Sequence, residues 1–245
     1  MIERRYLAPL PPGDGEEART ARRLHRLQVL QRLDVPILLL IGGATGTGKS
    51  TLAVEAAHRL GITRVTSTDS IRETMRALFS PAVLPSVHFS SFDAGLALTH
   101  AGGDAFRDAQ LLGFLDQTRH VLVGVEAAID RALAERWSMV LEGIHLVPGM
   151  IRTEREDALV VHCVLSITDE GAHRTHFWVR DTATAGLRPL QRYLDGIREI
   201  RLVQDAIFDR ACRHDVPVVE NHSLDQAIGE ILDLVLTRAE SLVRV

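Results

Sequence analysis

Lysine is almost missing from this chain: of the 28 lysines and arginines in 245 residues, only Lys49 is a lysine. So strong a bias suggests that the exception stands where a planar guanidinium cannot replace a compact ammonium. Cysteine is also scarce. Cys163 and Cys212 have neither zinc-site spacing nor the arrangement of a disulfide framework, and both read as buried thiols, one in a strand and one in a helix. Aromatic residues make up 4% and the formal net charge is −4, which argues against a general nucleic-acid binder, since such a groove needs positive charge and stacking rings. No apolar run approaches ~18 residues, and the polar, proline-containing stretch 1–15 has no signal-peptide core. A cytoplasmic protein without a membrane segment is expected. The 46% hydrophobic content supports a real core in one large domain or a domain with a small appendage.

Lys49 lies in Gly43, Ala44, Thr45, Gly46, Thr47, Gly48, Lys49 and Ser50, a full G-x-x-x-x-G-K-[ST] phosphate-binding loop of the Walker A type. Residues 36–41 before it read as a buried parallel strand, and 52–60 after it as a helix. The glycines let the backbone turn tightly and aim N–H groups at phosphates, and the helix N-terminus adds positive potential. Lys49 would hold the β- and γ-phosphates of a nucleotide and Ser50 would ligate magnesium.

Strand and helix signals alternate along most of the chain. Residues 1–35 form an arm and an amphipathic helix, with Leu24, Leu27, Leu30 and Leu33 on one side; 36–245 form the phosphate-loop domain. Strands are expected over 62–67, 138–141, 159–167 and 216–219, and helices over 70–78, 104–136, 190–213 and 224–242. In the long helix Val121, Val125, Ile129 and Leu133 share one buried face, and Trp137 closes it against the core. Residues 79–103 carry no clear pattern; His88, Asp93 and His100 there could line a pocket or sit in a surface loop. The alternation defines an α/β fold with a doubly wound, mostly parallel sheet and helices on both faces.

A phosphate loop alone fits ATPases, GTPases, kinases and mechanical switches, so other residues must narrow the chemistry. After the second strand come Asp69, Arg72 and Arg76. Asp69 could orient or deprotonate an acceptor hydroxyl, with both arginines facing one anion, or it could cap the helix beside surface charges. Glu142 ends a buried strand, where a carboxylate serves magnesium directly or through water, and His145 beyond it is either a hydrogen-bonded structural residue or a substrate contact. The segment 169–201 holds Arg174, Arg180, Arg188, Arg192, Arg198 and Arg201, and reads as a helical arginine lid that closes over transferring phosphate, or as a solvated hairpin. His173 and His176 there are weak evidence for a metal.

Together these motifs resemble the 2-phosphoglycerate kinase family: the phosphate loop from Ile41 to Ser50, the run from Thr66 through Asp69 and Arg72 to Arg76, the run from Leu141 through Glu142 and His145 to Gly149, and the later arginine segment. The resemblance covers most of residues 36–235 and implies a nucleotide-kinase-like sheet. It also implies ATP-dependent phosphorylation of the C3 hydroxyl of 2-phosphoglycerate to 2,3-bisphosphoglycerate, with magnesium. By position, Lys49, Ser50 and Thr51 would serve nucleotide phosphates and magnesium, Asp69 the acceptor hydroxyl, and Glu142 the metal or its waters. Arg72 and Arg76 would receive the acceptor's anionic groups, and Arg174, Arg180, Arg188 and Arg192 supply clamps for the transferred phosphoryl. Glu220, Asn221, His222 and Ser223 look like the adenine-side loop, with Asn221 as a base contact.

Archaeal members carry an N-terminal extension that looks like an ATP-cone, and residues 1–35 do not match it, so nucleotide-linked regulation through that module is not expected. Another small phosphorylated or hydroxylated acceptor remains an alternative, as does an ATP-dependent switch with no acceptor. A GTPase is excluded, because its guanine-reading element needs a second lysine.

Overall fold

β1 (Ile37–Gly43) is the centre of the molecule, and its seven residues are all buried. Its side chains alternate between two cores, as a strand's period of two demands. Ile37, Leu39 and Ile41 face one of them and Leu38 and Leu40 the other. A strand buried on both faces is the signature of a parallel sheet covered by helices on either side. The structure, a computed structural model, describes residues 28, 30, 33–98, 106–183 and 190–243.

Four further strands join β1: β2 (Val65–Ser67), β3 (Met139–Glu142), β4 (Leu159–Ser166) and β5 (Val218–Glu220). They pair in the order β2-β3-β1-β4-β5, every pair parallel. The helices are α1 (Lys49–Leu60), α2 (Thr68–Leu78), α3 (Phe106–Ala134), α4 (Glu170–Ala183), α5 (Leu190–Asp195), α6 (Ile197–Arg213) and α7 (Leu224–Val243). Leu52, Ala53, Ala56 and Ala57 of α1 and Ala227, Ile228, Ile231 and Val235 of α7 cover the first face. Val121, Val125 and Ile129 of α3 cover the second, with Val203 and Ile207 of α6 against Val164 of β4. The doubly wound parallel sheet anticipated from the sequence is therefore present, and the face expected on α3 is the buried one.

Three local differences have identifiable causes. β2 begins three residues later than the apolar run suggests, because Ile62 belongs to the end of α1. Gly61 takes the left-handed conformation (φ 69°), its N–H reaches His58 and the N–H of Ile62 reaches Ala57, which is the Schellman arrangement closed by an apolar side chain. The helix expected over 190–213 is broken at Gly196, where a Cβ would meet the Phe92 ring at 2.9 Å. Residues 79–98 contain two 3-10 turns, Pro85–His88 and Ala94–Leu98, lying along α3. Of the helix expected over 16–33, only Gln28, Leu30 and Leu33 are described; Leu30 and Leu33 pack on the first core, and the rest lies outside the described residues. Trp137 packs on the second core and carries the Arg64 guanidinium 3.5 Å above its ring.

One of the two thiols departs from expectation. Cys163 is buried in β4, and its burial pushes the thiol up to about 12, but Cys212 is exposed on α6. In the native protein one thiol, Cys212, should react promptly with an aromatic disulfide reagent, and Cys163 only after unfolding. Two fast thiols, or none, would contradict this placement.

Candidate active site

Strand register assembles the site. Ile41 pairs with Glu142, and Glu142 pairs with Ser67, so the end of β1, the Glu142 carboxylate and the start of α2 share one edge of the sheet. Ligands of open α/β sheets bind at this carboxyl edge. The phosphate loop leaves β1 there, with Gly46 (φ 88°) and Gly48 (φ 87°) in conformations that other residues rarely adopt.

Three of the loop's carbonyls accept from side chains. The Lys49 ammonium donates to Ala44 O at 2.5 Å, and the buried Thr47 hydroxyl donates to the same oxygen at 3.0 Å. His173 Nε2 donates to Thr45 O at 2.8 Å, and Asn221 Nδ2 to Thr47 O at 2.9 Å. Lys49 is buried, and burial lowers its pKa against the opposing pull of the Glu142 and Asp69 carboxylates.

Ser50 is exposed at the first turn of α1, and its hydroxyl donates to Glu142 Oε1 at 3.0 Å. Two oxygen donors side by side at the loop's mouth suit magnesium, a hard cation that takes one or two protein oxygens and completes its shell with water and phosphate. Thr51 beside Ser50 is also exposed.

On the other side of Glu142, α2 starts at Thr68. Ser67 caps it by accepting the Asp69 N–H at 3.1 Å, which leaves the Asp69 side chain 61% exposed. Arg72 is only 12% exposed and is largely committed: its NH1 donates to Val87 O at 2.9 Å and Phe89 O at 3.1 Å, and its NH2 meets Glu73 at 2.6 Å. Arg76 meets the same Glu73 at 3.3 Å. The two arginines read as facing one external anion thus share an internal carboxylate, and Arg72 chiefly clamps the wall formed by residues 85–89.

His145 lies behind this wall, fully buried, with Thr68 Oγ1 at 2.9 Å from Nδ1 and Gln117 Oε1 at 3.0 Å from Nε2. Gln117 spends its amide hydrogens on Ser86 O and Phe89 O, so its oxygen accepts and His145 carries its hydrogen on Nε2. The Thr68 hydroxyl then donates to Nδ1. His145 is therefore a positioning group for the start of α2, with no open path to a substrate.

Helix α4 and the segment after β5 approach from the far side. Arg174 pairs with Glu170 at 2.8 Å, and Arg192 of α5 with Asp93 at 3.3 Å. Arg201 donates to Ile167 O and Thr168 O, both at 2.8 Å, and is structural. The side chain of Arg180 and the whole of Arg188 lie outside the described residues, as does His100.

A glycine loop joining a central parallel strand to a helix, with a serine and a neighbouring strand-end carboxylate at its mouth, defines a protein of the phosphate-loop class. No family model matches the chain. It is, however, 36% identical over 219 residues to a 2-phosphoglycerate kinase of Methanopyrus kandleri, covering 89% of this chain and 66% of that one. A 2-phosphoglycerate kinase of Methanothermobacter thermautotrophicus is 39% identical, with 89% and 71% covered, and one of Thermococcus kodakarensis 36% identical, with 97% and 78% covered. The chain belongs to the 2-phosphoglycerate kinase family, and it spans about two-thirds of the length of the first of these relatives.

Three residues of the site hold places that their sequence signals did not give. His173 stood out only as half of a possible metal pair with His176, and among the described residues no group of three metal-ligating side chains forms. Asn221, read as a base contact, turns its amide onto the loop. Gln117 had no signal at all, being one of several polar residues on a long helix.

Burial lowers His145, His162 and His173 to about 4, from the ordinary 6.5. Because the folded-state value lies below the unfolded one, unfolding takes up close to one proton per histidine between these limits. Their contribution to stability is therefore complete above about pH 6.5 and lost as the pH falls towards 4. The urea midpoint should drop steadily from about pH 7 to 5, and less so in His162→Gln. A flat profile over that range would contradict neutral burial.

Proposed function

We propose that the chain transfers the γ-phosphoryl group of ATP to the C3 hydroxyl of 2-phosphoglycerate, giving ADP and 2,3-bisphosphoglycerate. The observation that carries this reading is the register that sets Glu142 between the phosphate loop and the start of α2, within hydrogen-bond reach of Ser50. The names of the relatives support the acceptor.

Loop amides and Lys49 would hold the β- and γ-phosphates; Lys49 would exchange its bond to Ala44 O for phosphate oxygens. Ser50 and Glu142 would hold magnesium, which when bound neutralises charge on the phosphates. Asp69, exposed at the N-terminus of α2, would orient the acceptor and take the C3 hydroxyl proton as the new O–P bond forms. The bond from the γ-phosphorus to the bridging oxygen breaks, and ADP leaves with that electron pair. Arg76 and Arg192, half-exposed or more, would receive the acceptor's phosphate and carboxylate, with Arg174, Arg180 and Arg188 as further candidates around the transferred group. Several fixed cations are needed before one more phosphoryl group can approach so anionic an acceptor. The reaction would run in the cytoplasm, with no nucleic acid involved.

ADP release from magnesium-ATP should require 2-phosphoglycerate and stay near background with 3-phosphoglycerate, glycerate or no acceptor, and mass spectrometry should identify a bisphosphoglycerate. Equal turnover without any acceptor would remove the assignment. Lys49→Ala should lower kcat at least about 100-fold, as loss of a transition-state charge partner does. Arg72→Ala should raise the acceptor KM about tenfold with little change for ATP, because it frees the wall beside α2. Unchanged acceptor kinetics in Arg72→Ala would dissociate that wall from the acceptor.

A further inference from the structure

Three carbonyls of the phosphate loop are held by side chains. Ala44 O, Thr45 O and Thr47 O each accept from a side chain: Lys49 of the loop itself, His173 of α4 and Asn221 beyond β5. In a trans peptide the C=O and N–H directions are opposed, so a carbonyl drawn outward turns the next residue's N–H inward. Holding Thr45 O therefore sets the direction of the Gly46 amide, and the donor that holds it is His173, from α4, 128 positions away in sequence.

The contact is built rather than incidental. His173 is fully buried and stacks on Phe177, ring centroids 5.1 Å apart and planes 20° apart; Phe177 in turn stacks on Tyr193 at 5.1 Å and 7°. A Cβ on Gly46 would lie 2.4 Å from the Phe177 ring and 3.0 Å from His173 Nε2, so α4 sits directly against the loop at its left-handed glycine. Because a carbonyl only accepts, the hydrogen of the neutral ring is on Nε2, and Nδ1 is left buried with no partner. Leaving a polar nitrogen in that state is unfavourable, a penalty that an apolar side chain filling the same space would avoid. The bond to Thr45 O is what the histidine offers in return.

We propose that His173 is a positioning residue for the nucleotide: it holds the Thr45 carbonyl from outside, aims the Gly46 amide at the phosphates, and ties the arginine-bearing helix α4 to the loop. This rests on the reading of the loop as the ATP site. Tight phosphate binding depends on amides fixed before the ligand arrives, since disordered donors must be ordered at the ligand's expense. The aromatic stack alone would hold α4 in place but would not orient the peptide.

The test compares two substitutions in the full chain. His173→Phe keeps the ring and its stack and removes the donor, whereas His173→Gln retains a donor of similar reach. Titration with magnesium-ADP by calorimetry should show binding weakened about tenfold in His173→Phe, the equivalent of one hydrogen bond's net worth, and within about threefold of the parent in His173→Gln. The KM for 2-phosphoglycerate should be unchanged in both. If His173→Phe does not fold, His173→Met, which also lacks a donor, takes its place. Parent-like affinity in the donorless variant overturns the proposal, and so does equal weakening in His173→Phe and His173→Gln, because the retained donor would then make no difference. If the parent protein itself does not bind magnesium-ADP, the reading of the loop as an ATP site fails and the proposal with it.

Discussion

The parallel pairing of β1 with β3, and of β3 with β2, is the constraint from which the site follows. Ile41 beside Glu142 and Glu142 beside Ser67 bring three chemistries to one edge: the amides of the phosphate loop, a carboxylate able to support magnesium, and the N-terminus of α2 with Asp69. Each comes from a different part of the chain, and the hydrogen-bond ladder of the sheet sets their spacing. A shift of register by one residue would turn the Glu142 side chain to the opposite face and separate it from Ser50. The apolar alternation of β3 opposes that shift, because it would exchange Val140 with Met139 and Leu141 between the two cores.

Around this edge the chain buries polar groups and commits them. Gln117 and Arg72 both hold carbonyls of the segment 85–89, one from α3 and one from α2, and His145 joins Gln117 to Thr68. An irregular segment with few apolar anchors is thereby fixed beside the reaction edge through its backbone. Networks of this kind specify one arrangement when every member is satisfied, and an unpaired member would be costly. The neutral state of His145 suits the role, since a charged ring would need a second acceptor in place of Thr68's donor.

Much of the fold was legible because it depends on local pattern. The strand, glycine loop and helix around Lys49, the two-sided burial of β1 and the apolar face of α3 all follow from spacing within a few residues. Glu142 was legible as a carboxylate at the end of a buried strand. Exposure of Cys212, the break at Gly196 and the commitment of Arg72 were not, since each depends on what a neighbouring element presents. The bonds of His173 to Thr45 and of Asn221 to Thr47 cross 128 and 174 positions, and a sequence offers no spacing rule for them. His145 could be read as structural or as a contact; burial with partners on both nitrogens decides for the first.

The central claim is that one sheet edge divides into a nucleotide half and an acceptor half that are occupied together. Backbone amide NMR, with magnesium-ADP added first and 2-phosphoglycerate second, tests it most directly. Magnesium-ADP should move the amides of residues 45–50, and 2-phosphoglycerate should then move those of 68–76 and 86–93 while the first set stays saturated. If 2-phosphoglycerate moves only the loop amides and is displaced by magnesium-ADP, the two ligands share one site and the account is wrong.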